Sequence, residues 1–112
     1  MVVEDLIIYK KSLNLIKSTY SLLRKNESLK RDFSLCDQIK RSSISVSTNI
    51  SEGYGRSKKY FKNFLGIASG SANETITLLQ IIELVYNVNT KQLQEDYKFL
   101  AKQISAFSSR LN

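Results

Sequence analysis

The residues best placed to do chemistry in this chain are its cations. Lys10, Lys17 and Arg24 recur every seven positions, which lines them up along one side of a helix, with Lys11 and Lys25 flanking the stripe. Between Lys40 and Lys62 stand six basic residues, Lys40, Arg41, Arg56, Lys58, Lys59 and Lys62, against a single acid, Glu52. Clusters of this kind track phosphate chains by charge alone, because neutralising phosphates releases their condensed counterions. The same side chains also make an ordinary solvated face, and the residues by themselves leave both readings open. Tyr60 falls among the lysines as aromatics do in single-strand binders, but a helical projection puts it on the opposite flank from Lys58, Lys59 and Lys62. No organised aromatic platform results. Binding without base readout is therefore the expectation.

Other chemistries are poorly supplied. The chain has no histidine, which removes the commonest general base and metal ligand, and one cysteine cannot build a tetrahedral zinc site. Cys36 falls on an apolar helical spacing and reads as a packing thiol. Gly53-Tyr54-Gly55 follows no strand and lacks both a third glycine and a Walker lysine, so it is not a phosphate-binding fingerprint. The ten carboxylates are scattered, mostly beside basic residues. The expectation is a non-enzymatic chain with no catalytic residue, no metal site and no cofactor.

The elements that must position the cations are helical. In 112 residues there is no proline and there are only four glycines, which favours a few long helices over many short strands in one domain, 1–112. A 42 % share of hydrophobic residues is enough for a packed core. Apolar positions alternate three and four apart over about 5–25 (Leu6, Tyr9, Leu13, Ile16, Tyr20, Leu23), 33–52 (Cys36, Ile39, Ser43, Val46, Ile50), 57–86 (Phe61 to Tyr86) and 90–111 (Leu93, Tyr97, Leu100, Ile104, Phe107, Leu111). Residues 25–32 read as a polar connection. Ser43–Thr48 alternates like a strand, yet the three-four spacing across the whole segment favours helix. Gly53 is expected to stop the second helix as a left-handed residue, with Ser57 capping the third and Asn89 or Thr90 the fourth. Four amphipathic helices with short connections predict an all-α, antiparallel, up-and-down four-helix bundle.

Two features ask for a second subunit. From Ile76 to Tyr86 apolar side chains point in nearly every direction, and a helix apolar all round is buried all round. Gly66 and Gly70 fall outside the core stripe, where another backbone or a phosphate chain could approach closely, close helix packing being the plainer reading. With a second apolar line on the first helix, the expected oligomer interface comprises Ile8, Leu15, Leu22, Gly66, Gly70, Ile76, Ile81, Leu84 and Val85. Net charge of +7 points to anionic partners, RNA or DNA first, while solubility alone is the plainer explanation. No apolar run is long enough to span a bilayer and the N-terminal residues lack a signal-peptide pattern, so a cytoplasmic protein with no membrane contact is expected.

Several segments together form a specific pattern. They are Asp5-Leu6-x-x-Tyr9-x-Lys11, Gln38-Ile-Lys-Arg41, Thr48-Asn-Ile-Ser-Glu-Gly-Tyr-Gly-Arg56, and Phe61-x-x-Phe-Leu-x-Ile-Ala-x-Gly-Ser71 followed by Glu74. Over about 5–86 the chain resembles the four-helix-bundle family of rRNA intervening-sequence proteins. That resemblance implies an antiparallel bundle in a ring-like pentamer, without established enzymatic activity. It also implies kinship with accessory proteins of retroelements that bind nucleic acid and a reverse transcriptase. The chain departs from the family pattern at Ser47, where proline is usual, and at Tyr60 and Ile76, each in place of an acid. The functional expectation is an oligomeric nucleic-acid-binding accessory protein; the competing one is a structural adaptor that docks a protein partner, with no nucleic-acid role.

Overall fold

The computed structural model describes residues 1–111, and all of its regular structure there is helical. A 3-10 turn, Val3–Asp5, leads into α1 (Ile7–Leu23), α2 (Glu27–Arg31), α3 (Phe33–Gly53), α4 (Lys58–Tyr86) and α5 (Lys91–Ser109). The helices pack into a bundle of 46 × 20 × 18 Å. At ~1.5 Å per residue, α4 alone runs nearly its full length. The alternating stretch Ser43–Thr48 is helical, as the longer period predicts.

Local signals set the ends. Asn26 accepts from the Leu29 amide at 2.9 Å and starts α2, a five-residue helix inside the expected polar connection. Its one apolar residue, Leu29, is fully buried. Asp32 accepts from the Leu35 amide at 3.1 Å to cap α3 and also receives the Tyr86 hydroxyl at 2.5 Å, tying the start of α3 to the end of α4. That hydroxyl, with the Leu35 amide, holds the Asp32 carboxyl below the usual range. Ser57 caps α4 through the Tyr60 amide at 3.4 Å, and Asn87, left-handed at φ 57°, ends it. Thr90 precedes α5 but turns its hydroxyl inward to the Leu79 carbonyl, and Asn89 supplies the oxygen for the Lys91 amide.

Gly53 has a different role from the one its place after an apolar stripe suggests. It is the last residue of α3, and Gly55, at φ 83°, makes the left-handed reversal. A Cβ on Gly53 would lie 2.7 Å from Phe64 Cβ and 3.0 Å from the Phe61 ring. Glycine is needed there because α3 and α4 touch. Gly53→Ala is expected to destabilise the fold by ~1–3 kcal/mol through this overpacking, measurable as a lower urea midpoint with an unchanged slope.

The core follows the expected stripes in α3, α4 and α5 but not in α1. Leu13 is 45 % exposed, and α1 buries Ile8, Ser12, Thr19, Leu22 and Leu23, with Leu15 half-buried between them. The inward line is therefore the one assigned to an oligomer interface. Polar residues inside it are paired: Ser47 donates to Ser12 at 2.7 Å, the Thr19 and Tyr97 hydroxyls meet at 2.8 Å, and Ser42 meets Thr75 at 2.8 Å. Among the described residues no buried side-chain nitrogen or oxygen lacks a hydrogen-bond partner. Such pairing removes most of the cost of placing hydroxyls in a core.

Candidate nucleic-acid interface

The fold splits the six cations between Lys40 and Lys62 into two groups. Thirteen residues of α3 separate Lys40 from Gly53, about 20 Å at the helical rise. Arg56, Lys58, Lys59 and Lys62 gather beyond that end, at the turn and on the first turns of α4. Lys40 and Arg41 lie toward the other end. Lys10 and Lys17 are exposed along α1, and Arg24 follows its last turn.

At the turn, the Arg56 guanidinium donates to Glu52 Oε1 at 2.7 Å and to the Glu52 carbonyl at 3.1 Å, and it lies 5.5 Å from the Phe64 ring centre. Glu52 is thus a positioning partner for the turn. Lys59, Lys62, Tyr60 and Asn63 line one surface hollow, so Tyr60 shares a neighbourhood with the lysines, contrary to its place on a helical projection. Tyr60 is 57 % exposed, and nothing of the core claims it. Arg41 pairs with Asp37 at 2.8 Å, a solvent-exposed contact of little energetic weight.

At the other end a second hollow joins three helices. Tyr20, Leu23 and Arg24 come from α1 and its end, Lys30 from α2, and Phe33, Cys36, Asp37 and Lys40 from α3. The Lys40 ammonium sits 5.0 Å from the Tyr20 ring centre, an attractive cation–π distance. Phe33, the first residue of α3, is 78 % exposed. Sequence reasoning missed Phe33, Tyr20 and Lys30 as a group because α2 was read as connection. The one available signal was an aromatic residue beside a helix cap, Asp32-Phe33. Cys36 is buried, donates to the Leu29 carbonyl at 3.2 Å, and has its pKa raised by that burial. It packs as expected.

The expected interface residues separate equally clearly. Ile8, Leu22 and Ile76 are buried within this chain and Leu15 packs against the same core, so their burial needs no second subunit. Gly66, Gly70, Ile81, Leu84 and Val85 are exposed on α4, and a Cβ at either glycine would meet open space. Ile67, 45 % exposed, stands two turns after Tyr60 and extends this face. The apolar character of 76–86 thus divides, part inward and part outward.

A helical bundle with an uncovered apolar face on its longest helix and cations at both ends is the class of protein these observations define. The chain belongs to the family described as 23S rRNA-intervening sequence protein, whose model matches residues 4–110. The match takes in α5, beyond the reach of the motifs. No curated protein and no solved structure matches the chain. No helix among the described residues is long and apolar enough to cross a membrane.

Proposed function

We propose that the protein is a non-enzymatic, antiparallel up-and-down four-helix bundle that forms a homo-oligomer and binds RNA or DNA by charge and shape. Several contacts support the antiparallel reading. Gly53 lies against Phe64, Ser45 bonds Ser71, and Ser42 bonds Thr75, so numbering falls in α3 as it rises in α4. Thr19 with Tyr97 and Lys11 with Gln103 give the same sense for α1 and α5. The outer face of α4, with Ile67, Ile81, Leu84 and Val85 exposed, supports assembly. A ring would repeat each basic patch, and multivalency raises avidity without new contacts.

One observation carries the nucleic-acid reading. The first turn of α4 holds no acid, and Lys58, Lys59 and Lys62 occupy its opening turns, where acidic residues would suit the helix dipole better. Lysines and dipole add to one positive end that costs the helix stability and favours a phosphate. Glu52, the nearby carboxylate, is held by Arg56. Lys59→Gln with Lys62→Gln should retain helicity and assembly, because both side chains are exposed, and weaken binding about equally for unrelated RNA and DNA sequences. Unchanged affinity, measured by fluorescence anisotropy at low salt, would reduce these lysines to a solvated surface.

The adaptor reading draws on the same α4 face. Leu84 at 85 % and Val85 at 61 % exposure suit a protein partner, a reverse transcriptase being the kind that the resemblance suggests. Retention of partner binding by a chain stripped of Lys59 and Lys62 would favour it.

A further inference from the structure

We propose that the hollow between α1, α2 and α3 takes one nucleotide of a single strand, its base against Phe33 and its phosphate among Arg24, Lys30 and Lys40. The inference rests on the nucleic-acid reading above and assigns it a contact specific to unpaired strands. The hollow is a half-open cleft with room of about 540 Å³, within the ~300–1,000 Å³ of small-molecule sites. That suits a nucleotide and not a duplex, which would lie across the surface.

Charge selects the occupant. Three cations line the hollow against one carboxylate, Asp37, and Arg41 engages that carboxylate from outside the lining at 2.8 Å. Lys30 has only a long, exposed contact with Glu27, at 3.4 Å. An anionic occupant is therefore favoured. The floor is apolar: Leu23 is buried, and the Cys36 thiol spends its proton on the Leu29 carbonyl. Phe33 supplies an aromatic face that no side chain of the core covers. An apolar floor, an open ring and cations at the rim match a planar base joined to a phosphate. Stacking tolerates every base, so the site adds affinity for unpaired strands without base readout. Phe33 shares the hollow with three cations, a combination that suits a base joined to a phosphate better than a purely apolar partner.

Because Phe33 is exposed, Phe33→Ala leaves the core intact. The test titrates the full chain with a short single-stranded RNA and a DNA of the same sequence, each carrying 2-aminopurine, and with a duplex RNA. In the parent, lifting the 2-aminopurine from its neighbouring bases onto Phe33 raises its fluorescence. Phe33→Ala should weaken single-strand binding about tenfold or more and remove that rise, with duplex binding unchanged and Phe33→Tyr retaining the parent's affinity. If Phe33→Ala binds single strands as the parent does while duplex still binds, the nucleotide assignment is overturned and the charge-based reading stands. If no probe binds the parent at low salt, the nucleic-acid reading itself fails. Should Phe33→Ala alter the sedimentation of the protein alone, Phe33 serves a contact between copies, and the assignment falls.

Discussion

Ile81→Asp combined with Leu84→Asp is expected to convert the proposed oligomer to folded single chains. Ile81 and Leu84 lie on the outer face of α4, 38 % and 85 % exposed, and neither is among the side chains that build the core. The fold of a lone chain therefore has little to lose. Fully covering an exposed isoleucine or leucine is worth ~1.5–3 kcal/mol; Leu84 has most of that to gain and Ile81 about a third, so the pair accounts for roughly one and a half to two and a half powers of ten in the association constant. Each aspartate also places a desolvated charge in the interface, which adds to the loss. Circular dichroism should be unchanged, and sedimentation should show the mass of one subunit at concentrations where the parent is assembled. If the variant sediments with the parent, α4 is not the interface.

Tyr97→Ala is expected to cost ~3–5 kcal/mol of stability, the range for deleting a buried aromatic ring. Tyr97 is the largest fully buried side chain, at 0 % exposure, and its hydroxyl meets that of Thr19 on α1. Thr19 gives its own proton to the Leu15 carbonyl, so Tyr97 is the donor between them. Alanine leaves both a cavity and an unfilled acceptor. Phenylalanine leaves only the acceptor and should cost ~1 kcal/mol. Parent and Tyr97→Phe also separate in alkali. Burial pushes the Tyr97 phenol up to about 12 from an ordinary 10.0. With the folded value raised, the contribution is fully present below pH 10 and is lost as pH rises toward 12. The parent should lose about 2 kcal/mol more than Tyr97→Phe across that window. Urea midpoints of the two proteins that fall in parallel from pH 10 to 12 would show that this phenol is not held neutral by the core.

How far the fold was legible depended on whether the core residues were apolar. In α4 and α5 the inward positions, such as Leu65, Leu79, Leu100 and Ile104, are apolar, and the three-four period located them. In α1 the inward line includes Ser12 and Thr19, whose hydroxyls find partners on α3 and α5. A period based on hydrophobicity passes over such positions, so it settled on a neighbouring line that includes exposed Leu13. The short α2 has one apolar residue, too few to show any period, although Asn26 and Glu27 fit a cap and a first-turn acid. Gly53 marked the end of α3 correctly, but its need for glycine comes from Phe64, eleven residues away, which only the packed pair reveals.

The candidate site shows the same division. Lysine-rich stretches were visible as composition, and the fold parts them into two groups some 20 Å from each other along the bundle. The union of Tyr20, Lys30 and Phe33 depends on α2 turning the chain back, so no spacing announces it. Gly66 and Gly70 remain on an open face, as their place outside the core stripe implied, whereas Ile8, Leu22 and Ile76 were needed inside. Apolar residues beyond one stripe thus had two destinations: on α4, Ile76 and Leu78 turn inward while Ile81, Leu84 and Val85 stay uncovered.

The salt dependence of nucleic-acid affinity separates charge-driven binding from an adaptor role. Each phosphate neutralised by a lysine or arginine contributes about 0.9 to the slope of log affinity against log salt for duplex DNA. Charge-driven binding through the lysines of α4 and the stripe on α1 predicts a steep negative slope, nearly the same for unrelated sequences, and shallower by roughly 2 per contacting subunit in Lys59→Gln/Lys62→Gln. A flat salt dependence, or no binding at low salt, would contradict the account and leave the outer face of α4 as the working surface of a protein adaptor.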